Sequence, residues 1–218
     1  MQVTSAVPKY SGRSYLEARI SRDNSFWETV AEKAGAGTSM TVGDKRLVIT
    51  QRQGDGSYRT YFGFQVPEGF FRSENVSLDN LDSTRELLLG LLDGWAPEYH
   101  DIIRHSSDFR AWPLYSLAAE DIGWKSVPGV ALMGDAAHLA LPNGEGVNLA
   151  MADALDLAKK IAEHGIDALD RAVEQYEADM FARGAQSVSE GLGMAEIMFG
   201  ESPEPFVAMM KSFGAGDE

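Results

Sequence analysis

The stretch GVALMGDAAHLALPNGEGVNLAMADAL, from Gly129 to Leu155, joins an apolar run to a helical pattern through a loop of Gly, Pro and Asn. The run Gly129 to Met133 predicts a short buried strand, and the residues from Gly146 onward predict a long helix. Free N–H groups and the helix dipole at such a turn favour an anion or an electron-rich ring edge. Asp135 could accept hydrogen bonds from ligand hydroxyls. An ordinary strand–turn–helix connection capped by Asp135 fits these residues equally well.

The composition limits what the chain binds. Its 218 residues carry 33 acidic and 19 basic side chains, a net charge of −14, which argues against nucleic acid or an anionic membrane as partner. The absence of cysteine excludes disulfides, thiolate nucleophiles and Cys-ligated metals, and no metal site is expected. No segment has the pattern of a signal peptide or the roughly 18 apolar residues of a membrane helix. We therefore expect a cytoplasmic protein that binds a small molecule.

The order of the remaining patterns predicts an α+β fold. We expect a mostly antiparallel sheet with helices on one side, followed by the strand, the Gly-rich turn, the helix and a helical C-terminus. Residues 45–53 and 57–66 flank Gly54-Asp55-Gly56 and predict a hairpin. Further strands are expected at residues 14–21, 38–42 and 109–116, and helices at 25–34, from a capping box at Ser83, and at 97–105. We divide the chain into a sheet domain (1–125) and a segment that contains the Gly-rich turn and the C-terminal helices (126–218), packed as one compact unit.

The segment GDAAHLALPNGEGVNLAMADAL resembles the second flavin-binding motif of the FAD-dependent aromatic hydroxylase family, nearest its tetracycline-inactivating branch. SAVPKYSG (Ser5 to Gly12) and the hairpin resemble the family's substrate-binding sheet. The resemblance implies that Asp135 meets the ribityl chain of FAD and that the backbone from Pro142 to Asn148 faces the isoalloxazine ring. His138 is expected to pack or to hydrogen-bond locally. The cofactor-binding residues implied in this way are Asp135, Pro142, Gly144, Gly146, Val147 and Asn148.

The same resemblance implies that one face of the hairpin faces flavin or substrate. Alternation predicts that Arg46, Val48 and Thr50 lie on one side of their strand and Tyr61 and Gly63 on one side of theirs. We expect these two sides to form a shared ligand-facing surface, in which Gly63 leaves room for a flat ligand, whereas Phe62 and Phe64 are expected in the core. The candidate catalytic residues are Arg46, Tyr61, Asp135 and Glu145. The candidate substrate-binding residues are Val48, Thr50, Gly63 and Pro142.

The phosphate-binding fingerprint of the family is not found. Its first half begins with a strand–turn–helix carrying G-x-G-x-x-G, which holds the pyrophosphate. Partial matches begin at Gly35, Gly144 and Gly191, among others, and none has the required context. The resemblance thus covers nearly this whole sequence but only the second part of the family's length. We expect no cofactor on the isolated chain, and FAD with NADPH if a partner supplies the missing half.

Three functions remain open from the sequence. The chain could catalyse the cyclisation, isomerisation or rearrangement of a flat apolar metabolite of secondary metabolism without flavin. It could be half of an FAD- and NADPH-dependent monooxygenase that hydroxylates an aromatic substrate, or a non-catalytic small-molecule binder. In the first case, Arg46→Ala and Tyr61→Phe should each lower turnover. Without that half, apolar surface should be exposed, and we expect a homodimer that covers it.

Overall fold

The computed structural model describes residues 3–73 and 76–214, and it confirms the α+β class. Five strands form one sheet: β1 (Lys9–Ile20), β2 (Thr38–Gly43), β3 (Arg46–Arg52), β4 (Tyr58–Gln65) and β5 (Ser107–Ser116). The helices are α1 (Trp27–Ala34), α2 (Leu81–Leu91), α3 (Pro97–His105), α4 (Asp135–His138), α5 (Gly146–His164), α6 (Leu169–Met198) and α7 (Glu204–Gly214). Within the described ranges, no helix is long and apolar enough to cross a membrane.

The chain divides into two compact units that interleave along the sequence. Residues 3–11 and 115–196 form one unit, here called the helical unit, and residues 12–73, 76–114 and 197–214 form the other, here called the sheet unit. The predicted functional boundary between residues 125 and 126 stays a prediction.

The sheet has the strand order β2-β3-β4-β1-β5, and the predicted hairpin is confirmed. Strands β3 and β4 pair antiparallel from Arg46↔Phe64 to Arg52↔Tyr58, around the Gly54-Asp55-Gly56 loop. Because side chains alternate along each strand, this register decides which residues share a face. One face carries the side chains of Val48 and Phe62, and the opposite face carries those of residues one position away.

Helices α1, α2 and α3 cover the face of the sheet that carries Val48 and Phe62. The hydrophobic core between the sheet and these helices includes Leu16, Ile20, Tyr58, Phe62, Phe64, Val30, Leu88 and Ile103. Burial of Phe62 and Phe64 is as predicted. The capping box predicted at Ser83 is wrong, because α2 begins two residues earlier. Its N-cap is Asn80, whose side chain accepts a hydrogen bond from Ser83 N at 3.1 Å.

The opposite face of the sheet is covered by the chain that follows α6. The ring of Tyr15 stacks on Phe199, with centroids 6.2 Å apart, and burial raises the pKa of Tyr15 to about 12. The backbone N–H groups of Asp44 and Lys45, in the turn between β2 and β3, donate to Glu201 O and Gly200 O. The C-terminal chain therefore closes the sheet unit.

The buried strand predicted at residues 129–133 is not formed. These residues run between Pro128 and Gly134 without strand pairing, and they are half-buried or exposed. A strand requires a neighbour for its backbone groups, and none of the described strands lies beside this run. The Gly-rich turn and the helix after it are formed as predicted, and α5 begins at Gly146.

Candidate flavin-ring site

The helical unit contains a cavity of about 220 Å³ at the Gly-rich turn. The loop between α4 and α5 forms much of its wall, and α6 contributes Ser187. The complete lining is Asp135, His138, Ala140, Leu141, Pro142, Asn143, Gly144, Gly146, Leu149 and Ser187. Four of the implied cofactor-binding residues, Asp135, Pro142, Gly144 and Gly146, thus lie around one cavity.

The N-terminus of α5 opens beside this cavity. The first helical hydrogen bond is donated by Leu149 N to Glu145 O, so the N–H groups of Gly146, Val147 and Asn148 precede it. Glu145 is the N-cap residue, but its exposed side chain makes no capping hydrogen bond. The structure therefore leaves backbone donors and the positive end of a 19-residue helix available for a ligand.

The loop before the cavity is anchored by a buried carboxylate. Asp153 of α5 is fully buried, and its Oδ2 accepts from Gly134 N at 3.0 Å and lies 2.6 Å from His138 Nε2. Its Oδ1 accepts from Arg183 Nη2 of α6 at 3.1 Å. Gly134 has a φ of +56°, a conformation that glycine adopts without strain. His138 thus hydrogen-bonds locally, as expected.

The electrostatics of this cluster favour an ionised Asp153. Burial by itself raises the pKa of a carboxyl group, but the hydrogen bonds from Gly134 N–H, His138 and Arg183 outweigh it. The pKa of Asp153 is therefore lowered. Arg183 also contacts Asp156 at 3.3 Å, so the cation is shared between two carboxylates.

Two glycines of α6 allow the loop to lie directly against that helix. A Cβ atom on Gly184 would lie 2.7 Å from His138 Cβ, and one on Gly191 would lie 2.7 Å from Leu141 O. Real Cβ contacts are longer than this, so a side chain at either position would displace the loop. The shape of the cavity thus depends on small residues that lie far from the loop in sequence.

Arg46 in the sheet unit has a structural role. Its Nη1 donates to Leu91 O at 2.9 Å and to Asp93 O at 3.1 Å, at the C-terminal end of α2. The guanidinium group also lies 5.7 Å from the ring centroid of Trp95. A cation at this end of a helix stabilises its unpaired carbonyl groups. The guanidinium group of Arg46, which the sequence predicted to face a ligand, is therefore bound to the end of α2 instead.

Replacing Arg46 with alanine should therefore lower the stability of the sheet unit. Loss of its hydrogen bonds to the α2 carbonyls should reduce the free energy of unfolding by about 1.5 kcal/mol. Urea denaturation measures this change, and Arg110→Ala, at an exposed position on β5, is the control. Equal stability of the two variants would show that Arg46 does not support α2.

The shared ligand-facing surface predicted for the hairpin is wrong. Val48 and Thr50 pair with Phe62 and Thr60, whereas Tyr61 pairs with Ile49 on the opposite face. Side chains alternate along each strand as predicted. The pairing register, however, places the side of β3 that carries Val48 and the side of β4 that carries Tyr61 on opposite faces of the sheet. Gly63 does not leave room for a flat ligand either, because a Cβ there would lie 2.6 Å from Leu47 Cγ.

Val48 and Thr50 instead lie on the helix-covered face. They line a cavity of about 210 Å³ together with Val30, Lys33, Ala34, Ser39, Thr41, Tyr99 and Ile102. Thr50 Oγ1 is 3.2 Å from Thr60 Oγ1, and Thr41 Oγ1 is 2.7 Å from Tyr99 Oη. Tyr61 contacts Tyr15, with ring centroids 5.9 Å apart. The catalytic and substrate-binding roles of these side chains stay predictions.

Sequence reasoning missed the residues that hold the loop. Asp153 is a single acidic residue inside the apolar pattern AMADAL, and this is a recognisable sign of a buried, paired carboxylate. Arg183 and Gly184 give no local sign, since their partners lie about 30 and 46 residues away along the chain (183 − 153 and 184 − 138). The sequence around Gly191 shows only a partial phosphate-binding match.

Comparison with known proteins agrees with this site. Residues 100–190 match the family model described as FAD binding domain. Monooxygenase penA of Penicillium thymicola is 27% identical over 213 aligned positions, which cover 78% of this chain and 49% of that protein. Klebsiella pneumoniae HpxO, solved with FAD and uric acid, has a TM-score of 0.74 at 22% identity and is covered over 50% of its chain. Tetracycline destructase Tet(51) has a TM-score of 0.59 at 18% identity.

The family model matches residues 100–190, fewer than half of the chain, and this segment contains the motif at Gly134 to Leu155 on which the predicted resemblance rests. The chain spans about half the length of the curated relative penA and of the solved structures that it matches.

Proposed function

We propose that this chain contributes the flavin-ring site of an FAD- and NADPH-dependent monooxygenase that hydroxylates an aromatic substrate. The observation that carries the proposal is the cavity at Asp135, with the N-terminus of α5 in its wall. The matched family and the FAD-complexed solved relative support this cofactor. Bound FAD, once reduced by NADPH, supplies the activation of dioxygen.

The residues present fit an isoalloxazine ring and the start of its ribityl chain. Gly144 and Gly146 have no Cβ, and nothing lies within 4 Å of where one would be, so a flat ring can approach the backbone. Asp135 is exposed at the cavity and can accept hydrogen bonds from ribityl hydroxyls. The N–H groups from Gly146 to Asn148 favour negative charge on the ring edge.

The cavity accounts for only part of FAD. Its volume of about 220 Å³ lies below the roughly 300–1,000 Å³ of sites that enclose a drug-sized ligand. No G-x-G-x-x-G turn in this sequence follows a strand, so the pyrophosphate has no corresponding binding element here. The chain alone should therefore bind riboflavin about as well as FAD.

A fluorescence titration tests the proposal. Riboflavin should bind the purified chain, and Asp135→Ala should weaken binding roughly tenfold, because a charge-assisted hydrogen bond is lost. Asp167→Ala, at an exposed position outside the cavity, should leave the affinity unchanged. Failure of riboflavin to bind, or equal affinities for the two variants, would contradict a flavin-ring site at Asp135.

Among residues 3–73 and 76–214, no contact favours the flavin-free cyclase or the non-catalytic binder. The cyclase relied on Arg46 as a ligand-facing cation and on space at Gly63. Arg46 contacts the end of α2, and the space at Gly63 is filled by Leu47 and Tyr15.

A further inference from the structure

The sheet unit contains a cavity of its own, between strands β2 and β3 and helices α1 and α3. Its volume is about 210 Å³, and we call it the helix-side cavity. Ser39 of β2 pairs with Thr50 of β3, and the next lining pair along the strands is Thr41 and Val48. Directly opposite residues share a face of the sheet, so these side chains form the floor of the cavity. The flavin-ring site lies in the helical unit, and the proposed function does not use this cavity.

The floor carries hydroxyl groups that the chain satisfies only in part. Thr50 Oγ1 lies 3.2 Å from Thr60 Oγ1, and the two side chains are 4% and 0% exposed. Within such a pair one hydroxyl group donates to the other, and the second hydrogen needs another acceptor. Neither threonine makes a second side-chain hydrogen bond within residues 3–73 and 76–214. A buried donor without an acceptor costs free energy, so this pair favours an acceptor inside the cavity.

The same floor offers further polar groups at its other positions. Ser39 supplies a hydroxyl group directly across from Thr50. Thr41 Oγ1 and Tyr99 Oη are 2.7 Å apart, so this second hydroxyl pair also has one hydrogen to donate. A ligand hydroxyl group, which both donates and accepts, matches this arrangement.

The remaining walls of the cavity are apolar and carry no net charge. Val30 of α1 and Ile102 of α3 are both buried and face Val48 of the floor. Among the described residues of the lining, only Lys33 is charged, and its Nζ lies 2.9 Å from Glu98 Oε1. This ion pair leaves no unpaired cation for an anionic ligand. Apolar walls with a few convergent polar groups are typical of small-molecule sites.

We propose that the helix-side cavity is a second small-molecule site, which binds an uncharged phenol of a single ring. The ring packs against Val30, Val48 and Ile102, and its hydroxyl group accepts from the threonine pair and donates to Ser39. The volume is below the roughly 300–1,000 Å³ of sites for drug-sized ligands, which limits the ligand to one ring. This inference goes beyond the proposed function and does not depend on it.

Fluorine NMR of para-fluorophenol, added to the full 218-residue chain without flavin, tests the site. The fluorine signal should respond saturably, and fluorobenzene, which lacks the hydroxyl group, should bind at least about fivefold more weakly. Excess riboflavin should not displace para-fluorophenol, because the two cavities lie in different units. Absence of saturable binding would assign the cavity to water alone. Equal affinities for the two compounds, or displacement by riboflavin, would also overturn the proposal.

Two threonine variants locate the bound phenol. Thr50→Val keeps the shape of the side chain but removes its hydroxyl group, so para-fluorophenol should bind about fivefold more weakly. Thr84→Val is the matched control, because Thr84 is also buried, donates to Ser77 O at 3.0 Å and does not line the cavity. Both variants should lose stability, but only Thr50→Val should lose affinity. Equal affinities of the two variants would show that the phenol does not contact Thr50.

A cavity-filling variant gives an independent answer. Ala34 lines the cavity from the last position of α1, and Ala34→Leu should fill part of the space and weaken para-fluorophenol binding at least about tenfold. Its unfolding temperature should not fall by more than that of Thr50→Val, as a thermal scan would show. Wild-type affinity in folded Ala34→Leu would overturn the site. If Ala34→Leu does not fold, the comparison of Thr50→Val with Thr84→Val decides the question.

Discussion

Asp153→Ala should lower the free energy of unfolding by about 2–3 kcal/mol, because it removes a fully buried carboxylate that accepts hydrogen bonds from Gly134 N–H and His138. The variant leaves Gly134 N–H and Arg183 without the acceptor that now joins α5, α6 and the loop. Urea denaturation at neutral pH measures the loss. Riboflavin binding should fall as well, because the residues from Gly134 to His138 form one wall of the cavity.

Two other variants identify the cause of this loss. Asp153→Asn keeps an oxygen acceptor but removes the charge, so its loss of stability should be intermediate. Asp179→Ala removes a carboxylate that is 54% exposed and paired with Lys160, which should cost less than about 1 kcal/mol. If Asp153→Ala lowered the free energy of unfolding no more than Asp179→Ala, the buried cluster around Asp153 would not hold the loop in place.

The free energy of unfolding should depend on pH through the titration of the Asp153 carboxyl group. Its pKa in the folded protein is lowered, so the ionised form contributes stability above the unfolded pKa of about 3.9. That contribution is lost as the pH falls from about 4 through the folded pKa. Asp153→Asn should therefore flatten the acid limb of a plot of stability against pH. An unchanged acid limb would show that Asp153 does not titrate in this way.

Gly191→Ala should destabilise the chain by about 1–3 kcal/mol, although alanine is the better helix former. Its Cβ would lie 2.7 Å from Leu141 O and 3.1 Å from Leu141 N, and backbone atoms cannot turn aside. The loop must shift away from α6, which should also weaken riboflavin binding. Thermal unfolding and the fluorescence titration measure the two effects.

Gly193→Ala is the matched control on the same helix. Nothing lies within 4 Å of its Cβ position, so this variant should be stabilised by up to about 1 kcal/mol. Opposite signs for two glycines only two residues apart would assign the effect to contact with the loop. The same sign for both would indicate that helix propensity alone decides the outcome.

Local patterns predicted much of the fold. The hairpin around Gly54-Asp55-Gly56 follows from turn chemistry, and the helix at Pro97–His105 begins at a proline and has the predicted bounds. The Gly-rich turn predicted a ligand loop, and the residues that line the cavity at this turn are mostly neighbours in sequence. Such features depend on interactions over a few residues.

Relations between distant segments were not predictable in the same way. Alternation assigned Arg46 and Tyr61 to sides of their own strands, but only the pairing register shows that these sides are opposite faces. Likewise, the apolar run at residues 129–133 indicates a strand, although a strand forms only where a partner strand is available. The contacts of Arg183 and Gly184 with the loop depend on how α6 packs.

The closure of the sheet by residues 199–201 affects the order of events during synthesis. The turn at Asp44 and Lys45 and the ring of Tyr15 are translated well before their partners Gly200, Glu201 and Phe199. On the ribosome, this face of the sheet therefore stays uncovered until residues 199–201 have been made. Nascent sheet surface of this kind is prone to aggregation, so final folding of the sheet unit should follow the synthesis of residues 199–201.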